Sequence, residues 1–195
     1  LYIIGKLLRA QRVPAIPVFL DSPMAVEVTQ VFNRYPSYLD EEAKTILRSG
    51  RPLFEFPGLR LTPTAADSKA INQVTGPAVI LAGSGMATGG RIKHHLKLTI
   101  GRPETTVVFV GFQAQGTLGR VILDGAKEVR IFGETLPVRA RIERIGGFSA
   151  HAGKDELRRW LRGFDRRPRR LFLCHGEEAV SLGLAKELEA EGWKT

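Results

Sequence analysis

Short apolar segments alternate with helical patterns through the first two thirds of the chain, and this alternation constrains the fold most strongly. The segments 16–20, 78–82 and 105–110 are almost entirely apolar, and each precedes polar or small residues and then a helical pattern. Strands of a parallel sheet that are buried on both faces have this composition. The sequence therefore predicts an α/β fold with a parallel, doubly wound sheet flanked by helices.

Capping signals mark where the helices begin and end. Ser22-Pro23 places a capping hydroxyl before a proline at the first helical position. The helix predicted over 39–48 is acidic in its first turn and basic in its last turn, which suits the helix dipole. Further helices are predicted over 1–11, 64–72, 91–98 and 116–123, and a short strand over 59–61.

The pattern changes after residue 125, where strands with alternating charge are predicted over 129–132 and 138–145 around a turn at 133–137. We therefore predict two domains, residues 1–125 and residues 126–195. Another strand-like run, 171–174, follows a predicted helix that begins near Gly153. Its spacing from the preceding strand suits a strand–helix–strand unit with His151 and His175 at the same edge of the sheet.

Histidines at strand ends can serve chemistry, because neutral imidazole binds divalent metals and imidazolium donates a proton. The alternative is that each one is a hydrogen-bonded structural residue. Cys174 is the one cysteine, so the chain cannot form an internal disulfide, which favours a reducing, cytoplasmic setting. Neighbouring strand residues point to opposite faces, so we expect Cys174 in the core and not beside His175 on one metal.

Composition and charge bound the class of partner. The chain of 195 residues is 43% hydrophobic and 25% charged, as in ordinary folded domains, and no apolar run approaches the roughly 20 residues that span a membrane. Its net charge is +9, and residues 139–170 carry eleven Lys or Arg against four acids. A clustered basic excess favours a polyanion, nucleic acid above all. The alternative is a basic surface typical of a heat-tolerant or high-pI proteome.

Two glycine-rich loops are candidate phosphate-binding elements. Gly83–Gly90 lies between a predicted strand and a basic helix, where backbone N–H groups are available to an anion. The segment Gly116–Arg120 repeats this arrangement after the next strand, which favours a polyphosphodiester over one mononucleotide. The candidate RNA or phosphate contacts are Ser84, Gly85, Thr88, Arg91, Gly116, Thr117 and Arg120.

Other interpretations of these loops remain open. The glycines could simply turn the chain. A dinucleotide site is disfavoured because the G-x-G-x-x-x-G spacing of the first loop is one residue too long and the next strand ends without an acidic residue. The P-loop pattern is absent from the sequence. His94 and His95 are expected on the helix surface or in contact with RNA.

An ordered set of motifs resembles the β-CASP branch of the metallo-β-lactamase-fold nucleases. The likeness is strongest to its bacterial and archaeal RNA-processing members, which are similar to the endonuclease subunit of the cleavage and polyadenylation machinery. It extends over nearly the whole chain. The motifs are LDSPMA (20–25), DSKAIN (67–72), GSGMATGGR (83–91), GFQAQGTLGR (111–120), FSAHA (148–152) and CHGE (174–177).

The resemblance implies a β-CASP domain inserted into a metallo-β-lactamase domain, with single-stranded RNA in the cleft between them. Residues 1–125 would be most of the inserted domain, and residues 126–195 the C-terminal return segment of the other domain, an αβ/βα fold. His151 matches the motif B histidine, which acts on the scissile phosphate, and Ser149 beside it is a further RNA contact. His175 matches the motif C zinc ligand, a histidine in RNA-processing members.

The chain departs from the family in lacking the H-x-H-x-D-H motif and the other main zinc ligands. The resemblance implies two zinc ions in the intact enzyme, but this chain supplies at most one ligand, His175. We therefore expect a fragment of a cytoplasmic, zinc-dependent ribonuclease that does not cleave RNA alone. The expected partners are single-stranded RNA and the missing N-terminal metallo-β-lactamase portion, and a homodimer stays open.

Two other functions remain open at this stage. One is a non-catalytic RNA-binding β-CASP module or partner subunit. The other is a nucleotide-dependent enzyme that binds NAD or ATP at the Gly83–Gly90 loop. The sequence leaves undecided whether the intact enzyme is an endonuclease or an exonuclease.

Overall fold

The computed structural model describes residues 1–148 and 151–195. The helices are α1 (Tyr2–Arg9), α2 (Pro23–Arg34), α3 (Glu41–Arg48), α4 (Ala65–Ala70), α5 (Gly90–Thr99), α6 (Leu118–Leu123), α7 (Lys154–Arg162) and α8 (Glu178–Ala190). The strands are β1 (Val18–Asp21), β2 (Leu59–Leu61), β3 (Val79–Ala82), β4 (Thr106–Val110), β5 (Glu128–Ile131), β6 (Glu134–Pro137) and β7 (Arg141–Ile145). Short 3-10 turns follow α2 and α4.

Parallel strands flanked by helices confirm the predicted α/β class. Strands β2, β1 and β3 form a parallel sheet in that order, with Val18 opposite both Leu59 and Val79. β4 pairs in parallel with β7, and β5 pairs antiparallel with β6. β1 has a neighbour on each side and is buried at all four positions. Its carboxyl end, Asp21, is therefore enclosed.

The predicted cap of α2 is confirmed, and α3 is also capped by a side chain. The Ser22 hydroxyl accepts a hydrogen bond from the Ala25 amide, with Pro23 at the first helical position. The Asp40 carboxylate accepts from the Ala43 amide at 2.8 Å. These side chains satisfy amide groups that the first turn of a helix leaves without backbone partners.

Strands β3 and β4 are less buried than their apolar composition predicts. β3 is half-buried at every position because it lies at an edge of its sheet. In β4 the Phe109 side chain is buried, whereas Val108 and Val110 are exposed. β4 packs only one face against the core, so alternate residues face solvent, and the prediction of two fully buried strands was wrong.

The predicted pair of strands around 133–137 differs in its bounds. Phe132 and Gly133 both have positive φ, which gives a two-residue turn between β5 and β6. The segment Glu134–Pro137, predicted as the turn, is therefore itself a strand. β7 does not pair with this hairpin; it lies parallel to β4, with Val110 opposite Ile145.

One hydrophobic cluster spans the residues on both sides of position 125. Its buried members include Leu96 and Ile100 of α5, Phe109 of β4, and Val129 and Ile131 of β5. The hairpin and the preceding α/β elements therefore pack around one core. The division into domains at residue 125 stays a prediction.

The C-terminal segment has a separate cluster, in which Leu161 of α7, Leu188 of α8 and Trp193 are buried. Residues 171–174 are not a strand; the backbone bond from the Leu171 amide to the Lys194 carbonyl joins them to the chain end, and β7 pairs with β4 instead. The predicted strand–helix–strand unit was therefore wrong. Cys174 is exposed, so its predicted core position was wrong too. No helix in the described ranges is long and apolar enough to cross a membrane.

Candidate nucleic-acid interface

A buried carboxylate lies at the carboxyl end of the central strand. Asp21 is 0% exposed and receives four side-chain hydrogen bonds. Thr62 Oγ1 and Arg91 Nη1 donate to Oδ1 at 2.6 and 2.7 Å, and Ser68 Oγ donates to Oδ2 at 2.7 Å. His95 Nε2 lies 2.6 Å from Oδ2, and it carries the proton because an ionised carboxylate only accepts hydrogen bonds.

Burial alone would raise the pKa of Asp21, but the hydrogen bonds from Thr62, His95, Ser68 and Arg91 outweigh it and hold the pKa below its ordinary value. Asp21 therefore joins β1, the residues after β2, α4 and α5 at one point. His95 is buried in this cluster, so the prediction that it lies on the helix surface or contacts RNA was wrong. His94 is exposed and packs against the Phe132 ring.

Arg91 lies in the first turn of α5 and is directed toward this cluster. Besides Asp21, its guanidinium donates to the Thr62 carbonyl and, at 2.9 Å, to the Pro63 carbonyl. Its side chain is largely buried. These contacts fix the beginning of α5 against the sheet, and the predicted contact of Arg91 with an RNA phosphate stays a prediction.

The Gly83–Gly90 loop closes on itself before α5 begins. The Ile92 amide donates to the Gly83 carbonyl, and the hydroxyls of Ser84 and Thr88 lie 3.3 Å apart. Gly90 has φ +70°, and a Cβ there would lie 3.0 Å from the Gly83 carbonyl oxygen. A larger residue at position 90 would therefore be strained by both its conformation and this close approach.

The Gly83–Gly90 loop is in direct contact with the segment 111–120, which contains the second glycine-rich loop. Gln113 is 3% exposed, and its Nε2 donates to the carbonyls of Gly85 and Phe112, both at 3.0 Å. The Gly119 amide donates to the Met86 carbonyl at 3.0 Å. A Cβ at Gly119 would lie 2.9 Å from that oxygen and would overlap Gln113 Oε1. Close packing at Gly119 thus holds the second loop against the first.

The second loop ends in a capped helix. The Thr117 hydroxyl accepts from the Arg120 amide and donates to the Ala114 carbonyl. Gly116 has φ +77° in the turn before it. The hydroxyl of Thr117 is therefore engaged within the loop, and the predicted RNA contacts of Gly116 and Thr117 stay predictions.

Arg120 connects the second loop with the CHGE motif. Its Nε donates to both carboxylate oxygens of Asp124, at 2.8 and 2.9 Å. Its Nη1 lies 3.7 Å from Glu177 Oε1, a buried atom that accepts no hydrogen bond from the described residues. The segment that carries His175 is therefore placed beside the second glycine-rich loop.

A cleft of about 320 Å³ opens at this position. Its lining residues are Phe112, Gln113, Arg120, Leu123, Asp124 and Arg144. Arg144 comes from β7, whose carboxyl end is joined to that of β4 by a hydrogen bond from the Gly111 amide to the Ile145 carbonyl. The second loop and the segment leading to His151 therefore begin at adjacent strand ends.

The predicted catalytic and metal-ligating histidines are both exposed. His151 precedes α7, whose first residues are capped by Glu156, which accepts from the Gly153 amide at 2.7 Å. His175 has φ +70°, a backbone conformation that residues other than glycine rarely adopt. The predicted RNA contact Ser149 lies outside the described residues.

The zinc site is incomplete in the described part of the chain. No group of three or more His, Cys, Asp or Glu side chains there could hold a metal ion. A protein zinc site uses three or four such ligands. The described residues thus do not fit a complete zinc centre, and no catalytic step through zinc follows from them.

The sequence interpretation missed four residues that organise this region: Asp21, Gln113, Arg144 and Glu177. Asp21, Gln113 and Glu177 stand inside the motifs that carry the resemblance, which was the available signal. Arg144 is one of eleven basic residues in its part of the chain, and only the pairing of β7 with β4 distinguishes it.

Comparison with known families matches both parts of the chain. Residues 1–122 match the Beta-Casp domain family. Residues 135–195 match the family described as the Zn-dependent metallo-hydrolase RNA specificity domain.

Named relatives point the same way. Ribonuclease TTHA0252 of Thermus thermophilus is 45% identical over 181 residues, which cover 93% of this chain and 41% of the relative. Transcription termination factor FttA of Methanosarcina mazei is 32% identical over 192 residues, 95% of this chain and 30% of that protein. An RNase J-like protein of Methanocaldococcus jannaschii is 29% identical over 198 residues, 100% of this chain and 43% of that protein.

The chain spans less than half the length of each of these relatives. The Beta-Casp match, in contrast, covers more than half of the chain itself. This chain therefore belongs to the β-CASP family of metallo-β-lactamase-fold nucleases.

Proposed function

We propose that this chain provides the RNA-binding part of a zinc-dependent ribonuclease that hydrolyses phosphodiester bonds of single-stranded RNA. The observation that carries the proposal is the direct contact between the two glycine-rich loops, through Gln113 to Gly85 and Gly119 to Met86. Because the loops are neighbours, their backbone groups, Arg120 and Arg144 can bind successive phosphates of one strand.

The first loop supplies the anion-binding groups. It precedes α5, a helix of ten residues, and the positive end of a helix dipole attracts negative charge. Ser84, Gly85 and Thr88 lie in this loop, and the two hydroxyls are close enough to act on the same phosphate. Arg91 fixes the beginning of α5 next to this loop through its ion pair with Asp21, in addition to the proposed contact with RNA.

Beyond the second loop, Arg120 is the link to the proposed chemistry. It pairs with Glu177, two residues after His175, so RNA bound at Arg120 would lie beside the CHGE motif. In this proposal His151 stabilises charge at the scissile phosphate or protonates the leaving oxygen, and His175 supplies one zinc ligand. The remaining ligands would come from outside these 195 residues, so the chain alone is expected not to cleave RNA.

RNA binding tests the proposal. We expect fluorescence anisotropy to show that the chain binds a labelled single-stranded oligouridylate more tightly than a matched RNA duplex, with an affinity that falls linearly with salt on logarithmic axes. Each neutralised phosphate contributes a slope of about −0.7 for a single strand. Arg144→Ala should weaken binding and reduce the slope by about one contact.

Arg102→Ala is the matched control, because Arg102 is exposed and follows the far end of α5 from the Gly83–Gly90 loop. It should change neither the affinity nor the slope. Equal effects of the two substitutions would mean that the basic charge acts only as a diffuse surface, which contradicts a defined track.

A non-catalytic RNA-binding β-CASP module or partner subunit is the second candidate. The FttA relative is named as a transcription termination factor and not as a nuclease. The two candidates differ in the intact protein: a ribonuclease loses cleavage but keeps RNA binding when His175→Ala is introduced, whereas a binding module shows no cleavage to lose.

A further inference from the structure

Two exposed phenylalanines follow the adjacent ends of paired strands. Phe112 is two residues beyond β4 and 51% exposed, and Phe148 is three residues beyond β7 and 59% exposed. The parallel pairing of Val110 with Ile145 brings these two strand ends together. Both phenylalanines therefore follow strand ends that lie side by side.

The exposure of Phe112 is not a consequence of an unpacked strand. Phe109 in the same β4 strand is 4% exposed and belongs to the main hydrophobic cluster. The Phe109 ring within the strand is therefore buried, whereas the Phe112 ring just beyond it is exposed. Exposed apolar groups gathered at one place commonly mark a binding surface.

The charges around Phe112 indicate the class of ligand. Phe112 lines the 320 Å³ cleft together with Arg120 and Arg144. Arg120 belongs to α6, which follows β4, and Arg144 belongs to β7. Arg144 is exposed, and it lies one residue before the end of β7. Aromatic faces beside guanidinium groups are the combination that binds single-stranded nucleic acid, since bases stack on the rings while cations hold the backbone.

We propose that Phe112 and Phe148 form a base-stacking subsite, in which nucleobases of single-stranded RNA stack on the two rings and Arg144 binds the adjacent phosphate. This inference rests on the proposed function. It adds that the subsite distinguishes single-stranded from double-stranded RNA by binding unpaired bases. A base inside a duplex cannot expose its face to a phenylalanine. The subsite therefore excludes double-stranded RNA, whereas phosphate contacts alone would not.

The test compares the full chain on two labelled RNAs of equal length and charge: an ordinary single strand, and one with abasic ribose at its central positions. Stacking on an aromatic ring predicts that the abasic strand binds about tenfold more weakly. Phe112→Leu and Phe148→Leu should each weaken binding of the ordinary strand and leave binding of the abasic strand unchanged.

Two variants keep the test sharp. Phe112→Tyr retains an aromatic face and should bind both RNAs like the unmodified chain. Tyr38→Leu removes an exposed ring outside the cleft and should have no effect. Equal affinity of the unmodified chain for both RNAs, or Leu variants that weaken both equally, would overturn the subsite while leaving the phosphate track intact. Failure of the unmodified chain to bind either RNA would overturn the proposed function as well.

Discussion

Asp21→Ala should strongly destabilise the fold, because it removes a buried acceptor that four side chains share. Arg91 and His95 would lose the carboxylate that faces them, and Thr62 and Ser68 would lose their shared partner. Removing one partner from a buried ion pair costs about 3–5 kcal/mol. Arg91 keeps the carbonyls of Thr62 and Pro63 as acceptors, so we expect a loss near the lower limit, about 3 kcal/mol in the free energy of unfolding.

Urea unfolding followed by circular dichroism measures this loss from the midpoint and the slope of the transition. Glu134→Ala is the matched control, because Glu134 also pairs with a cation, Lys97, but is exposed. Surface pairs contribute below about 1 kcal/mol. If the Asp21 and Glu134 variants lost the same small amount, Asp21 would not be the point that joins β1 to α4 and α5.

The same carboxylate predicts a pH dependence. The pKa of Asp21 in the folded chain lies below its ordinary value, so the carboxylate binds protons more readily when the chain is unfolded. Its contribution to stability is therefore complete above the unfolded pKa of about 3.9 and is lost as the pH falls through the lower, folded pKa. Asp21→Asn should lose less stability than the unmodified chain when urea midpoints are compared between about pH 5 and pH 3. If the urea midpoints of Asp21→Asn fell with pH as much as those of the unmodified chain, an ionised Asp21 in the folded chain would be contradicted.

Further predictions concern the loops. Gly119→Ala should lower the free energy of unfolding by about 1–3 kcal/mol, because its Cβ would press on the Met86 carbonyl and on Gln113. Gly183→Ala in α8, where a Cβ meets no neighbour, should be neutral or stabilising. Urea unfolding of both variants measures the difference. Arg91→Ala should lower stability and also reduce the salt slope of RNA binding by about one phosphate contact. An unchanged slope in a variant that is still folded would limit Arg91 to its structural contacts with Asp21.

Patterns that depend on local chemistry were predictable from the sequence. Ser22-Pro23 predicted the beginning of α2, the acidic first turn and basic last turn predicted α3, and alternating strands and helices predicted the α/β class. The loops around Gly83 and Gly116 were identified from glycine, hydroxyl and arginine content alone. Their mutual contact was not, because it depends on Gln113, whose buried position no local pattern indicates.

Long-range pairing explains the remaining errors. β7 pairs with β4 rather than with the segment 171–174, and only the register of the folded chain decides between such partners. A run such as Leu171–Cys174 has strand composition, yet a strand needs a neighbour to satisfy its backbone. The error at His95 also comes from a long-range contact. The composition of α5 predicts a basic, exposed helix, but His95 lies about one turn after Arg91, so both side chains face Asp21.

The location of bound RNA tests the central claim most directly. Amide chemical shifts of the isotopically labelled chain, recorded by NMR during titration with a single-stranded oligouridylate, report which backbone groups meet the RNA. We predict the largest changes at the amides of 83–90 and 111–117 and at Arg144, with salt reducing all of them together. Changes confined to α7 and α8, with the two glycine-rich loops unaffected, would contradict the proposal that these loops form the RNA track.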